Sequence, residues 1–273
     1  MSRLLSIEFQ KLRHTRYFKV LTILWVLAFL SIPVVTNGFL NWLDTQEGVI
    51  SEQIPILPSQ LPIFDFVDIW QNLAYVYKCI TILLSFIIII SVTNDLDYSV
   101  TRQNVIDGLS KGEYLRSKIY FILAVSVVAT LALFALGLVA GYSLSPVTGF
   151  EYVVRNIEFV GAYFLQVFSF LMFCFVVALL IKRAGFAIAL IIFWVYIIEP
   201  IGAAMVTYNF EMPLLGDMFP VESSWNFIRM PIEKYFFREI QDYVSFQDLS
   251  IGLGYIGIYL LCSWLLLTKR DLQ

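Results

Sequence analysis

The chain has 273 residues, of which 59% are hydrophobic and 14% charged, and its formal net charge is -3. A soluble domain carries about 25% charged residues, so this composition, with a mean hydropathy of +0.79, excludes an ordinary soluble protein. The long apolar runs are continuous rather than alternating in segments of about ten residues, which excludes an outer-membrane barrel as well.

In chain order, the first segment is basic, with Arg3, Lys11, Arg13, Arg16 and Lys19 around His14, the single histidine. Leu5, Phe9 and Leu12 give it a partial apolar face that Arg16 interrupts. Six apolar runs follow at about 19–39, 74–93, 119–141, 159–181, 185–206 and 250–268. Each suits a helix crossing a hydrocarbon core of roughly 30 Å. The first is read as a span rather than a signal peptide, because SIPVVTNGFLNW behind it lacks a small-x-small cleavage pattern. The connector 40–73 carries Pro55, Pro58 and Pro62. The connector 207–250 contains PIEKYFFREI, whose aromatic and charged residues suit a short interfacial helix. Residues 1–273 therefore read as one all-helical transmembrane domain, without a soluble domain or an obvious repeat.

Lysine and arginine set the expected orientation. They cluster in the first segment, in the second connector (Arg102, Lys111, Arg116 and Lys118), at Lys182-Arg183 and at Lys269-Arg270. Between Val20 and Tyr77 there is no Lys or Arg, but there are Asp44, Glu47, Glu52, Asp65 and Asp68. The fifth-to-sixth connector has seven acids against Arg229, Lys234 and Arg238. The positive-inside rule places both termini in the cytoplasm, and six crossings satisfy it.

The second connector, TRQNVIDGLSKGEYLRSK at 101–118, carries helix punctuation. Val105, Ile106 and Leu109 fall on one face of a helical turn, and Gly108 is a natural stop. Ser110-Lys-Gly-Glu113 fits a capping box, with Leu109 and Tyr114 placed as its hydrophobic staple. Two readings stay open: ordinary caps for the second and third spans, or a short helix whose Val105 and Ile106 dock on a cytoplasmic partner.

The run NDLDYSVTRQNVIDGLSKGEYLRSK resembles the cytoplasmic connector of bacterial ABC transporter permeases of the type-2 exporter family. The matching features are an acid at the end of the second span (Asp95 or Asp97), Thr101-Arg102-Gln103, the step Ile106 to Ser110, Tyr114-Leu115, and Lys118 opening the third span. NDLDYS departs from the Glu and Gly that the family often has there. LLSIEFQKLRHTRYFKV is similar to the family's basic N-terminal elbow helix, and LLLTKRDLQ to its last span and tail. The resemblance implies a dimer, of two identical or two related permeases, working with two cytoplasmic ATPase subunits in the bacterial cytoplasmic membrane. It makes Asn104, Val105, Ile106, Asp107, Gly108, Leu109 and Ser110 the coupling helix that docks on the ATPase. It implies an exporter of an unidentified substrate, whether amphipathic peptide, antibiotic, lipid or glycan. A non-transporting membrane scaffold or biogenesis factor is the alternative.

No G-x-x-x-x-G-K-[ST] phosphate loop occurs, so ATP would bind the partner subunit and this chain would not itself be an enzyme or hold a cofactor. Cys79, Cys174 and Cys262 lack metal-ligand spacing and read as packing residues; no catalytic residue or metal ligand is expected. Membrane lipids are expected partners and nucleic acid is not. Glu199 is an acid inside a predicted span, followed by Pro200. Such residues are functional candidates, and the choices are a structural hinge or interfacial acid, or a part in substrate passage or gating. Trp25, Trp70, Tyr75, Trp194, Trp225 and Trp264 read as interfacial belt or packing, and Gly252, Gly254 and Gly257 as close-packing positions.

Overall fold

The computed structural model describes residues 2–45, 63–97, 110–229, 231 and 243–269, excepting the side chains of residues 2–4, 97 and 213. Among the described residues, six helices are long and apolar enough to cross a membrane: Arg16–Asp44, Ile69–Leu96, Lys111–Leu144, Phe150–Ile181, Ala184–Asn209 and Phe246–Lys269. This is the build of a multi-pass membrane protein, and the helices are called the first to sixth spans below. Each contains its predicted apolar run and extends it. The extension has a simple cause: a helix ends where its terminal backbone groups find caps, not where hydropathy changes. Before them lies an N-terminal helix, Ser2–Arg13.

The fourth span is the hub. It packs against the second, third, fifth and sixth, and Phe159, Tyr163, Val167, Phe170, Phe175 and Leu179 are buried along it. The third span approaches the second, and the turn that leads into it, closely where side chains vanish. A Cβ on Gly137 would stand 2.6 Å from Trp70 Cζ3, and one on Gly141 would stand 2.5 Å from the ring of Phe66. Trp70 is fully buried there and its indole N–H donates to the Val153 carbonyl at 2.8 Å.

Breaks among the described residues shape the bundle. Asn156 adopts a left-handed φ of 59°, which asparagine tolerates, and its amide donates to the Val67 carbonyl at 2.8 Å. Lys182 closes the fourth span at φ 60°, and the extended Arg183 lets the fifth span restart at Ala184. Within the fifth span, π-helical turns at Trp194–Ile198 and Met205–Asn209 flank Glu199–Ala204. Pro200 supplies no N–H to the helix ladder, and wider turns of this kind absorb such a gap.

Several sequence expectations shift. The N-terminal helix turns Leu5, Glu8 and Leu12 inward, whereas Phe9 is half exposed and meets Phe18 edge-on. In the sixth span a Cβ at Gly252 would collide with the Phe227 ring, but one at Gly254 or Gly257 would meet nothing within 4 Å. Only Gly252 of the three is a close-packing position among the described residues. Trp70 belongs to the core, while Trp264 is exposed. PIEKYFFREI, apart from Pro231, lies outside the described residues.

Candidate functional site at the connector end

The ends of the second and third spans that flank the connector meet the N-terminal helix in a buried charge network. Three helices each contribute residues one turn apart: Glu8 with Lys11, Ser91 with Asp95, and Tyr114 with Lys118. This spacing places each pair on one helix face. Lys118 Nζ stands 2.7 Å from Glu8 Oε2, 2.7 Å from Asp95 Oδ2 and 3.0 Å from Ser91 Oγ. Lys11 pairs with the other oxygen of Asp95. Ser117 Oγ donates to Glu8 at 3.3 Å, and the Tyr114 hydroxyl to Asp95 at 3.5 Å. The Lys118 ammonium also stands 5.5 Å from the centroid of the Tyr114 ring.

Glu8, Asp95 and Lys118 are buried and Lys11 is partly open. Two acids and two bases cancel formally. Buried charges are tolerated only when paired and hydrogen-bonded, and removing one partner costs about 3–5 kcal/mol. The network is thus a lock among three helices. It holds the relative geometry of those helices. Among the described residues no group of three or more His, Cys, Asp or Glu is placed to hold a metal.

Of the expected docking residues, Ser110 is placed; Asn104, Val105, Ile106, Asp107, Gly108 and Leu109 lie outside the described residues. Ser110 forms the predicted capping box. Its hydroxyl oxygen accepts from the Glu113 N–H at 3.2 Å, and Glu113 Oε2 accepts from the Ser110 N–H at 2.8 Å. Tyr114 is buried beside Asp95; its expected staple partner Leu109 lies outside the described residues. Lys111 donates to the Thr268 carbonyl at 3.4 Å, which brings the end of the sixth span to the same end of the bundle. Asp95 and Lys118, singled out from the sequence as separate features, form one ion pair. Glu8 was missed. Its signal was its isolation, as the one acid before Asp44 in a basic segment.

Glu199 and Pro200 sit away from this lock, toward the other end of the fifth span. Glu199 is buried. Its Oε2 accepts from the Trp194 indole at 2.5 Å, and its Oε1 from the N–H groups of Val221 and Glu222 at 2.5 and 2.7 Å. The carboxylate therefore binds the π-helical turn to the segment after the fifth span. The same segment is held by the Tyr259 hydroxyl on the Pro220 carbonyl at 2.9 Å, by Tyr255 on Met218, and by the Phe227 ring on Gly252. Burial raises the pKa of Glu222, with Lys78 opposing and Asp217 adding to the shift. Lys78 itself stands over the rings of Tyr75 and Trp225, 3.9 and 4.9 Å from their centroids.

No family model matches the sequence, and no curated protein matches it.

Proposed function

We propose that this chain is the membrane-spanning subunit of an ATP-driven exporter, with the ATPase on a separate cytoplasmic polypeptide and a second permease, identical or related, beside it in a bacterial cytoplasmic membrane. In this reading the end bearing the charge network faces the cytoplasm and the N-terminal helix lies along that leaflet as an elbow.

The observation that carries the reading is the lock of Glu8, Lys11, Asp95 and Lys118. It fastens the exit of the second span, the entry of the third and the N-terminal helix into one unit around the connector 98–109. A push on that connector would reach three helices together, as a coupling element requires. The capped start at Ser110 supports the same role by giving the third span a rigid lever. Glu199 in this scheme braces the outer segment against the fifth span, and Pro200 with the π-helical turns gives that span a place to bend as a gate.

The test is co-purification of a cytoplasmic ABC-type ATPase with the full-length chain from its native membranes. Burying one apolar side chain at an interface contributes roughly 1.5–3 kcal/mol, so Val105→Asp with Ile106→Asp should weaken docking by more than about tenfold. Ser110→Ala, which removes a cap contributing about 1 kcal/mol, should retain the ATPase. Wild-type recovery of the ATPase by the double Asp variant, after membrane insertion is verified, would overturn the reading.

A further inference from the structure

The first span is the least buried of the six. It touches the bundle through Trp25, Phe29 and Leu40, with the Phe29 ring stacked on Tyr77 at 4.1 Å. Between it and the third span runs a groove of about 810 Å³. That volume is within the roughly 300–1,000 Å³ typical of small-molecule sites.

The walls of the groove are graded. Trp25, Phe29, Pro33, Ala132 and Leu136 make a purely apolar stretch. The polar side chains Asn37, Asn41 and Ser143 gather at the end away from the connector. From Trp25 to Asn41 the helix rises roughly 24 Å at about 1.5 Å per residue, more than half of a roughly 30 Å hydrocarbon core. Among the described residues no charged one lines the groove. Beyond its polar mouth, the first charged residue along each chain segment is an acid: Asp44 after Asn41, and Glu151 after Leu144. Asp65 also stands at this end, accepting from Ser145 Oγ at 2.9 Å.

We propose that the groove is a binding site for one membrane lipid. Its acyl chain would lie along Trp25, Phe29, Pro33, Ala132 and Leu136, with a net-neutral head at Asn37, Asn41 and Ser143. The apolar stretch matches an acyl tail, and the polar side chains gathered at one end match a head group rather than a continuously apolar partner helix. The amides and hydroxyl offer hydrogen bonds to a head group, while the acids around the mouth repel an anionic one. The site stands whether or not the chain works with an ATPase.

The measurement is native mass spectrometry of the full-length chain in mild detergent, titrated with phosphatidylethanolamine or phosphatidylglycerol bearing the same palmitoyl and oleoyl chains. A single phosphatidylethanolamine should be retained, and phosphatidylglycerol should bind about tenfold more weakly. Gly38 lines the groove and a Cβ there meets nothing within 4 Å, so Gly38→Phe can fold while plugging it. It should weaken phosphatidylethanolamine binding by about tenfold or more. Gly257→Phe, at a position where a Cβ likewise meets nothing within 4 Å but away from the groove, should bind as wild type. Ala135→Leu serves as a second plug should Gly38→Phe fail to fold. Equal retention of the two lipids, or undiminished retention by the plugged variants, overturns the proposal. Loss of a dimer in Gly38→Phe with lipid retention unchanged also overturns it, and assigns the groove to contact between copies of the chain.

Discussion

Lys118 satisfies two carboxylates and a hydroxyl at once, and each of those groups comes from a different turn of a different helix than its own. Replacing it with methionine keeps the length of the stem but takes the paired ammonium from Glu8 and leaves Asp95 with Lys11. We expect Lys118→Met to lose about 3–5 kcal/mol, read as a lower unfolding temperature in detergent. Adding Glu8→Gln should recover part of that loss, because one of the stranded charges is then gone. A Lys118→Met protein that melts with wild type would show that the lock holds nothing. Gln166 presents the reverse case. Both atoms of its amide, and the nearby Ser169 hydroxyl, are buried in the fourth span without a hydrogen-bond partner among the described residues. An unpaired buried polar group costs about 1–3 kcal/mol, so Gln166→Leu should raise the unfolding temperature. A fall would mean that the amide has a partner essential to the bundle.

At the scale of the element, the contact of the third span with the start of the second and the turn before it depends on absent side chains. Trp70 and Phe66 occupy the space that Cβ atoms on Gly137 and Gly141 would take. Neither ring can retreat, since both are fully buried. Gly137→Val should therefore overpack the interface and cost about 1–3 kcal/mol. Gly161→Val is the matched control, because a Cβ there meets nothing within 4 Å; equal melting of the two variants would contradict the packing argument. The fifth span shows the opposite economy. Its two π-helical turns around Pro200 leave a helix whose ladder is already interrupted, held in place by the hydrogen bonds to Glu199.

For the whole molecule, the described contacts bring the N-terminal helix, both flanks of the connector 98–109 and the end of the sixth span to one end. The segment 217–229 and the residues around Asp65 and Ser145 lie toward the other. Basic residues crowd the first end and acids the second, so both termini are expected in the cytoplasm. Reporter fusions at Gln273 and within residues 46–62 check this: an active cytoplasmic reporter at Gln273 and a silent one in the loop are the expected pair, and the reverse would invert the bundle.

The six spans were legible in the sequence because their requirement is local: about 20 apolar residues make a crossing helix wherever they occur. The Ser110 capping box was legible for the same reason, since its two partners lie three residues apart. The rotation of each helix was not. In a membrane, lipid-facing and core-facing side chains are alike apolar, so the periodicity that betrays the buried face of a soluble helix is largely lost. Phe9 therefore looked like an inward residue and Glu8 did not. The pairing of Glu8 with Lys118 spans 110 positions, and the seat of Glu199 depends on where the backbone of Val221 and Glu222 returns. Charge order and apolar length determined the spans and the expected sidedness; only the packing of helices against one another decided which charges meet, which glycines matter and where a groove stays open.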